Sequence, residues 1–368
     1  MKQHMEIRTG LLGAGFIAAS HVRALAQLPG VRIGWICDAD LRKAEALASL
    51  IPGARATASL DEMLAAKPDV VHVLLPPEAH ATAAVSALTA GAHVFVEKPL
   101  ATSAREARLI ATAAEVAGRR VGVNHNLVFN VTFRKLVDAI RRRKLGELEH
   151  VSFTWNVPLP WRQAKAYGHW LFQRPENILF EQAVHPLSAV ELLLGGLESV
   201  SVLPCRTTTL VNGAAFHRTW QVSMELERGT AQLFLSFGGE CTEIAVSAIG
   251  QDGVARADLK RNRFSLRRNG FHEPPLDDLF GGLDEGFAIA TQSAGNFTKA
   301  MLGFVRALPP FDPWGNEIAE SVKSFYTSLA SGAPSPVDLA RGVAIVEMCE
   351  AVGLAAGGAV QPRLESRT

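Results

Sequence analysis

A glycine-containing turn near the start of the chain has the residue types and spacing of a phosphate-binding loop. The short apolar run at residues 7–12 is followed by Gly13-Ala14-Gly15 and then by Ala18. Gly13 permits a tight turn, Gly15 lets the main chain approach a pyrophosphate, and the small Ala18 allows a helix to pack closely on the strand. The N-terminus of that helix offers N–H groups to phosphates. The pattern predicts a dinucleotide-binding turn.

An acidic residue stands where the ribose of such a dinucleotide is expected. Asp38 directly follows the next apolar run, residues 31–37, and lies 20 residues after Ala18. A carboxylate there hydrogen-bonds a ribose diol and repels a 2′-phosphate, which favours NAD over NADP. Arg42, one helical turn further on, could reach a 2′-phosphate, but Asp40 competes for it. We therefore expect NAD as the cofactor, with NADP as the alternative.

Apolar runs and helix patterns alternate along the first third of the chain. Five runs predict strands, at residues 7–12, 31–37, 70–75, 94–96 and 121–123. Two of the intervening helix patterns open with Ser59 and Ser103, each three residues before a glutamate, which is the spacing of a capping box. This alternation is typical of a doubly wound parallel sheet, so we expect a Rossmann dinucleotide-binding domain over residues 1–125.

From residue 126 onward the pattern changes to alternating apolar and polar residues. Residues 220–237 alternate on either side of Arg228-Gly229, which predicts a hairpin with one polar face. Helix patterns return at about residues 287–307, 316–331 and 338–356. The preceding residues 277–286, rich in Gly and Asp, are interpreted as a mobile loop. We expect residues 126–368 to form an α+β domain with a large, mainly antiparallel sheet that binds substrate and pairs subunits.

The composition of the whole chain excludes several classes of protein. The 368 residues carry 37 Lys and Arg against 36 Asp and Glu, so neither nucleic acid nor a membrane surface is an expected partner. No stretch approaches the ~20 apolar residues of a membrane-spanning helix, and no secretory signal is visible. The four cysteines are scattered without the spacing of a zinc site or a disulfide framework. We expect a soluble cytoplasmic protein with no metal centre.

Short motifs along nearly the whole chain accompany the glycine turn and Asp38. They are Leu75-Pro76-Pro77 with His80, Ala90-Gly91-Ala92-His93-Val94, Glu97-Lys98-Pro99-Leu100, Asn124-His125-Asn126, and Glu181 four residues before His185. In this combination the chain resembles the Gfo/Idh/MocA oxidoreductases, named for glucose–fructose oxidoreductase, inositol dehydrogenase and rhizopine catabolism proteins. Such proteins oxidise a hydroxyl of a sugar or cyclitol, or reduce the ketone, with NAD or NADP.

The resemblance implies residues for the cofactor and for the chemistry. The expected cofactor contacts are Gly13, Gly15, Phe16, Ile17, Asp38, Leu75, Pro76, His80, Glu97, Lys98 and Asn126. The expected catalytic residues are Lys98, which would stabilise a developing alkoxide, and His185, which suits a base near neutral pH. Glu181 would orient His185 or touch a substrate hydroxyl. A surface lysine, a buried histidine and a structural ion pair remain the alternatives for these three.

Fewer motifs identify the residues that are expected to contact the substrate. The aromatic segment at residues 155–180 is the candidate substrate wall, with Trp161, Arg162, Tyr167 and His169 as its expected contacts, and a packed aromatic loop is the alternative. The chain also departs from the family pattern at four positions on this side, namely Glu181, Ser188, Val128 and Val131. The resemblance therefore does not fix inositol or glucose as the substrate.

The sequence is compatible with three functions. The first is an NAD(P)-dependent dehydrogenase acting on a carbohydrate or cyclitol, assembled as a homo-oligomer, either a dimer or a tetramer. The second is a glycosidase that uses NAD transiently, through oxidation, elimination and reduction, with no net redox change. The third is a regulator that senses the nucleotide without catalysis, and the presence of both Lys98 and His185 argues against it.

Overall fold

The computed structural model describes residues 6–268, 273–305 and 313–357. Contacts between Cα atoms divide the chain into two units. The first unit combines Met1–Asn130 with Asp312–Glu347, and the second combines Val131–Phe311 with Met348–Thr368. The chain therefore contributes to the first unit twice, once at its start and once near its end.

The first unit is built on a parallel sheet. Its strands are β1 Ile7–Leu12, β2 Val31–Cys37, β3 Arg55–Thr57, β4 Val70–Val73, β5 His93–Val96 and β6 Val121–Val123. They lie in the order β3-β2-β1-β4-β5-β6, and every neighbouring pair is parallel. The order reverses between β1 and β4, which is the point where open α/β sheets bind ligands. The predicted doubly wound Rossmann sheet is confirmed.

Helices follow the strands of this sheet in alternation. They are α1 Ala18–Leu25, α2 Leu41–Ala48, α3 Leu60–Ala65, α4 His80–Thr89 and α5 Ala104–Ala117. The hydroxyl of Ser59 accepts a hydrogen bond from the N–H of Glu62, and that of Ser103 accepts one from the N–H of Glu106. These bonds satisfy N–H groups that a helix start leaves without partners. Gly118, at a φ of +60°, ends α5 in the left-handed region.

The second unit contains a sheet of seven strands. They are β7 Leu148–Val157, β8 Leu197–Thr209, β9 Ala215–Leu226, β10 Gly229–Phe237, β11 Glu243–Gly250, β12 Gly253–Asp258 and β13 Arg263–Arg268. Their order is β13-β12-β11-β7-β10-β9-β8, and all neighbours are antiparallel except the parallel pair β7 and β10. Apolar side chains of β9 and β10 alternate into the core, as in Trp220, Val222 and Met224. The predicted mainly antiparallel sheet is confirmed.

Six further α-helices lie in the described chain. They are α6 Val131–Arg141, α7 Pro160–Gln163, α8 Val184–Leu194, α9 Pro274–Phe304, α10 Pro313–Ser331 and α11 Leu339–Gly357. Helix α10 packs against α1 in the first unit. Within the described residues, no helix is both long enough and apolar enough to cross a membrane.

The predicted mobile loop at residues 277–286 is wrong, because these residues belong to α9. The helix is held on the edge strand β13 by side-chain hydrogen bonds. The amide of Gln292 accepts from the main-chain N–H of Phe264 at 2.9 Å and donates to its carbonyl at 2.8 Å. Ser265 also donates to the Glu285 carboxylate at 2.8 Å. These tertiary contacts stabilise a helix that its own Gly and Asp residues would weaken.

Candidate functional site

The glycine turn connects β1 to α1 at the switch point of the first sheet. Gly13 has a φ of +106°, and a Cβ atom there would lie 2.5 Å from the carbonyl oxygen of Leu74. Only glycine fits this close approach without strain. A Cβ atom on Gly15, in contrast, would meet no atom of the described residues within 4 Å. The main chain at Gly15 therefore borders open space, and the neighbouring Phe16 side chain is 97% exposed.

The carboxylate of Asp38 is tied to the glycine turn. Its Oδ2 accepts a hydrogen bond of 2.7 Å from the N–H of Ala14, and its Oδ1 accepts one of 2.9 Å from the N–H of Asp40. A carboxylate has about four lone-pair positions, so both oxygens retain the capacity to accept hydroxyl donors. Asp40 in turn caps α2 by accepting from the N–H of Arg42. The acid predicted for the ribose thus lies beside the turn predicted for the pyrophosphate.

The end of β5 presents Glu97 and Lys98. Glu97 is buried, and its Oε1 accepts from His21 Nε2 at 2.7 Å and from Asn124 Nδ2 at 2.6 Å. Its Oε2 accepts from the main-chain N–H of Lys98 at 3.2 Å. Burial alone would raise the pKa of the Glu97 carboxyl, but hydrogen bonds from His21 and Asn124 and the charge of Lys98 hold it below its ordinary value. An ionised Glu97 therefore anchors the main chain at Lys98.

His80 connects two of the predicted cofactor-binding loops. Its buried ring lies 2.7 Å from the Pro99 carbonyl oxygen through Nδ1 and 2.8 Å from the Leu75 carbonyl oxygen through Nε2. Burial holds the pKa of His80 below its ordinary value, although the two carbonyl groups act in the opposite direction. Because both ring nitrogens contact the main chain, His80 fixes the positions of the Leu75-Pro76 segment and of Pro99.

The segment after β6 brings three polar residues to the same edge of the sheet. Asn124 and His125 are buried, and neither Asn124 Oδ1 nor the two ring nitrogens of His125 has a hydrogen-bond partner in the described part of the chain. Burial lowers the pKa of His125 to about 3. The amide of Asn126 donates to the buried Glu317 at 3.2 Å. Buried polar atoms without partners are rare in proteins, and they mark this loop as a place where a ligand completes the hydrogen bonding.

These features fit a dinucleotide. Gly15 leaves space for a pyrophosphate against the main chain, and Asp38 retains acceptors for a ribose diol. Asn124 and His125 offer unsatisfied polar atoms next to Glu97. Sequence reasoning selected Asn126 from this loop but not Asn124 or His125, although all three belong to one short motif. The signal that could have found them is their position directly after a parallel strand, where ligand contacts concentrate.

The second unit carries the predicted base. His185 is the second residue of α8, and Glu181 lies in the π-helical turn Leu179–Ala183 that precedes it. The buried ring of His185 stacks on Trp155, with centroids 5.2 Å apart and an interplanar angle of 19°. Trp155 is held in turn by Gln182, whose Oε1 accepts from the indole N–H at 3.3 Å. The indole therefore fixes the plane of the His185 ring.

The four expected substrate contacts lie in the segment between β7 and α8. Trp161 stacks on His169, with centroids 5.1 Å apart, and the Arg162 guanidinium lies over the ring of Phe216. Tyr167 packs edge-on against Phe172. All four side chains are partly exposed. The segment thus combines aromatic packing with accessible polar groups, and substrate contact through it stays a prediction.

Comparison with known proteins places this geometry in context. Residues 7–125 match the Gfo/Idh/MocA family model, described as an oxidoreductase family with an NAD-binding Rossmann fold. An inositol 2-dehydrogenase of Cereibacter sphaeroides is 40% identical over 119 residues, which are 32% of this chain and 35% of that relative, so the match spans about a third of its length. An inositol 2-dehydrogenase of an Arthrobacter species is 28% identical over 289 residues, covering 75% of this chain and 81% of the relative.

A solved structure with the same fold extends the likeness to the second unit. The WlbA dehydrogenase from Bordetella pertussis, in complex with NADH and UDP-GlcNAcA, has a TM-score of 0.76 at 22% identity. The match covers 97% of both chains. At this identity the likeness establishes the fold, and the predicted combination of a Rossmann domain with a second α+β domain is confirmed over almost the entire chain.

Proposed function

Because the chain belongs to the Gfo/Idh/MocA oxidoreductase family, we propose that it oxidises a CH–OH group of a sugar, sugar derivative or cyclitol, or reduces the corresponding ketone, with NAD. One observation carries the proposal. Lys98 is anchored through Glu97 at the end of β5, in the same sheet whose switch point holds the glycine turn and Asp38. The main chain that carries this lysine is thus held at the ligand-binding edge of a dinucleotide fold.

The first unit holds the cofactor. When bound, NAD accepts the hydride that leaves the substrate carbon. The main chain at Gly13 and Gly15 supports the pyrophosphate, and Asp38 accepts hydrogen bonds from a ribose diol. Its negative charge opposes a 2′-phosphate, which selects NAD over NADP. Support comes from the space at Gly15 and from the two Asp38 oxygens that the turn already orients.

Lys98 and His185 handle the proton of the reacting hydroxyl. Loss of hydride from an alcohol carbon requires the hydroxyl proton to leave, because the product is a ketone. The Lys98 ammonium stabilises the developing alkoxide, and a neutral His185 ring accepts the proton. Stacking on Trp155 restrains the His185 ring, so its nitrogens are presented in a fixed plane. Glu181, from the turn before α8, orients His185 or binds a neighbouring hydroxyl.

The substrate class rests on the second unit and on the relatives. Two inositol 2-dehydrogenases and a dehydrogenase crystallised with UDP-GlcNAcA suggest a polyhydroxylated ring. Trp161 and His169 offer a stacked aromatic surface suited to the apolar face of such a ring. Arg162 and Tyr167 offer donors for its hydroxyl groups or for a carboxylate. We expect these four residues to govern which ring is accepted.

The test is a mass-spectrometric survey of a mixed sugar, glycoside and cyclitol library incubated with NAD. Wild-type protein and Lys98→Ala are compared on the same library, with the exposed Lys43→Ala variant as a matched control. We expect one species to lose two hydrogens, with stoichiometric NADH, in the wild-type and Lys43→Ala samples only. That species identifies the substrate.

Two other outcomes would replace the proposal. A glycoside split by water without net NADH would assign the chain to NAD-dependent glycosidases. Binding of NAD without change in any library member would favour a nucleotide-sensing protein, and a search for protein partners would follow.

A homo-oligomer is part of the proposal. Helix α9 exposes a row of large apolar side chains at helical spacing, namely Leu276, Phe280, Leu283 and Phe287. A contiguous exposed apolar row of this kind is a common mark of a protein interface. We expect light scattering after size-exclusion chromatography to give the mass of a dimer or a tetramer, and a monomer mass would contradict it. Leu283→Asp should lower that mass, whereas Val116→Glu, an exposed position on α5, should not.

We also place the reaction in the cytoplasm. All four cysteines are unpaired, and two of them, Cys37 and Cys349, are buried. Unpaired thiols are typical of proteins in a reducing compartment, where the NAD pool also resides. Fractionation of the source cells with an antibody to the chain tests this assignment, and recovery with an oxidising compartment would contradict it.

A further inference from the structure

A line of buried polar side chains runs through the core of the first unit and ends at Glu97. The hydroxyls of Thr9 and Tyr326 lie 2.9 Å apart, and Tyr326 lies 3.0 Å from Nε2 of His72. The Nδ1 atoms of His72 and His21 are 2.9 Å apart, and His21 Nε2 lies 2.7 Å from Glu97 Oε1. All five residues are buried, and both histidines have no exposed surface. We call these five residues the buried chain.

The positions of the protons give the hydrogen bonds of the buried chain a single direction, from donor to acceptor. The ionised Glu97 carboxylate only accepts, so His21 donates through Nε2, and a neutral His21 then carries a lone pair on Nδ1. His72 must then donate through Nδ1, which leaves its Nε2 to accept from the Tyr326 hydroxyl. Tyr326 in turn accepts from Thr9. Every member is satisfied with neutral imidazoles, and each donor points toward Glu97.

The reverse direction needs one extra proton. If His21 were an imidazolium, its Nδ1 would donate to His72, and His72 would donate to Tyr326 through Nε2. That arrangement pairs an imidazolium with the Glu97 carboxylate, so it buries one more charge in a part of the core that has no exposed surface, and the attraction within the pair must exceed the cost of that burial. The neutral arrangement buries one charge fewer.

The buried chain ends at the group that anchors Lys98. Glu97 Oε1 accepts from His21 and from Asn124, and Oε2 accepts from the Lys98 N–H. If His21 no longer donates, the Glu97 carboxylate loses one of its partners and gains freedom to rotate. The Lys98 main chain would then lose its fixed acceptor. A change two links away, at His72, is transmitted through these bonds to the main chain of Lys98.

We propose that His21, His72 and Tyr326 are positioning residues for Lys98, with His72 held in the Nδ1–H tautomer that directs every donor of the buried chain toward Glu97. Their effect on turnover rests on the proposed function of Lys98. The tautomer itself does not, because it depends only on the hydrogen bonds of the first unit and on a neutral His21. The two parts therefore have separate tests.

The first test is nitrogen NMR of the full-length protein labelled with 15N-histidine. Long-range proton–nitrogen correlations distinguish the two neutral tautomers, and the signals that disappear in His21→Asn and His72→Asn assign the two rings. We expect His72 to carry its proton on Nδ1 and His21 on Nε2 between pH 6 and pH 8. A proton on Nε2 of His72 would overturn the proposal, whatever the reaction of the protein.

The second test measures kcat and the Kd for NAD in the same variants. Tyr326→Phe keeps the ring and removes the hydroxyl, so we expect kcat to fall about tenfold while the Kd for NAD stays within about threefold. Ser321→Ala is the matched control, because Ser321 is a buried residue of the same helix whose Oγ has no hydrogen-bond partner in the described chain. We expect it to match the wild type.

Rescue by a conservative residue distinguishes positioning from packing. The amide nitrogen of an asparagine can occupy the place of Nδ1, so His72→Asn retains the donor to His21, whereas His72→Leu keeps only bulk. We expect His72→Asn to retain more of the wild-type kcat than His72→Leu. Equal values for these two variants, or an unchanged kcat in Tyr326→Phe, would overturn the positioning role. Failure of the wild type to turn over any substrate would count against the proposed function and leave the tautomer result standing.

Discussion

The main-chain N–H of Ala14 donates a 2.7 Å hydrogen bond to Oδ2 of Asp38, across 24 residues of sequence. The bond joins the turn after β1 to the end of β2, the two places predicted to hold the pyrophosphate and the ribose of one dinucleotide. Asp38 therefore shapes the turn, and in the proposed function it also presents a negative charge to the ribose. A substitution at Asp38 should affect both.

We predict that Asp38→Asn changes the choice of cofactor. The amide keeps an oxygen that can accept from Ala14 but removes the charge that repels a 2′-phosphate. We expect the preference for NAD over NADP to fall by about tenfold, equivalent to about 1.4 kcal/mol. Titration of both nucleotides by isothermal calorimetry measures it. Glu45→Gln, which removes an exposed carboxylate from α2, serves as the control, and an equal loss there would show that the ribose contact lies elsewhere.

We predict opposite effects of alanine at the two glycines of the turn. Gly13→Ala places a Cβ atom 2.5 Å from the Leu74 carbonyl oxygen at a φ of +106°, so we expect it to destabilise the fold, by about 2 kcal/mol or more. A Cβ atom on Gly15 meets nothing within 4 Å among the described residues. Gly15→Ala should therefore leave the free energy of unfolding nearly unchanged and weaken NAD binding about tenfold. Urea unfolding and NAD titration measure the two quantities, and normal NAD affinity in Gly15→Ala would remove the turn from the cofactor site.

The sequence was most informative where local rules decide the structure. The capping residues Ser59 and Ser103 act through neighbours three residues away, and the glycine turn and the strand runs of the first unit each have a residue pattern that is complete within a short segment. The NAD-binding Rossmann prediction is confirmed by the family match over residues 7–125. These features could be predicted because each requires a particular residue type at a fixed spacing.

The sequence was least informative where distant side chains decide. Residues 277–286 form part of α9 because Gln292 and Glu285 bond to the edge strand β13, and no local pattern reveals that contact. Trp155 was placed in a substrate wall, yet its buried ring supports His185. The link from Tyr326 to His72 spans 254 residues and depends on α10 packing against α1. Such contacts emerge only from the three-dimensional fold.

We predict that Lys98→Ala abolishes most turnover and spares cofactor binding. If Lys98 stabilises the developing alkoxide, its loss should lower kcat by about 10² to 10⁴. The Kd for NAD should stay within about threefold, because the phosphate and ribose contacts come from other residues. Stopped-flow measurement of NADH formation and a fluorescence titration of NAD give the two values. Retention of more than a tenth of the wild-type kcat would contradict the assigned role.

We predict that His125 makes the stability of the protein fall in acid. Burial lowers its pKa to about 3 in the folded state, while an unfolded chain has an ordinary histidine pKa near 6.5. Below pH 6.5 the unfolded state therefore binds a proton that the folded state does not, and the free energy of unfolding decreases as the pH falls toward 3. Between pH 7.5 and pH 5.5 this one group should remove roughly 1 to 1.5 kcal/mol.

The measurement that isolates this effect is urea unfolding of the cofactor-free protein at both pH values. His125→Asn loses the buried ring, so its absolute stability drops, but its loss of stability between pH 7.5 and pH 5.5 should be smaller than that of the wild type. His150→Gln is the comparison, because His150 lies partly exposed on β7 and its pKa is lowered by lesser burial. An equal pH dependence in wild type and His125→Asn would mean that the His125 ring is already protonated, or reaches water, in the folded state.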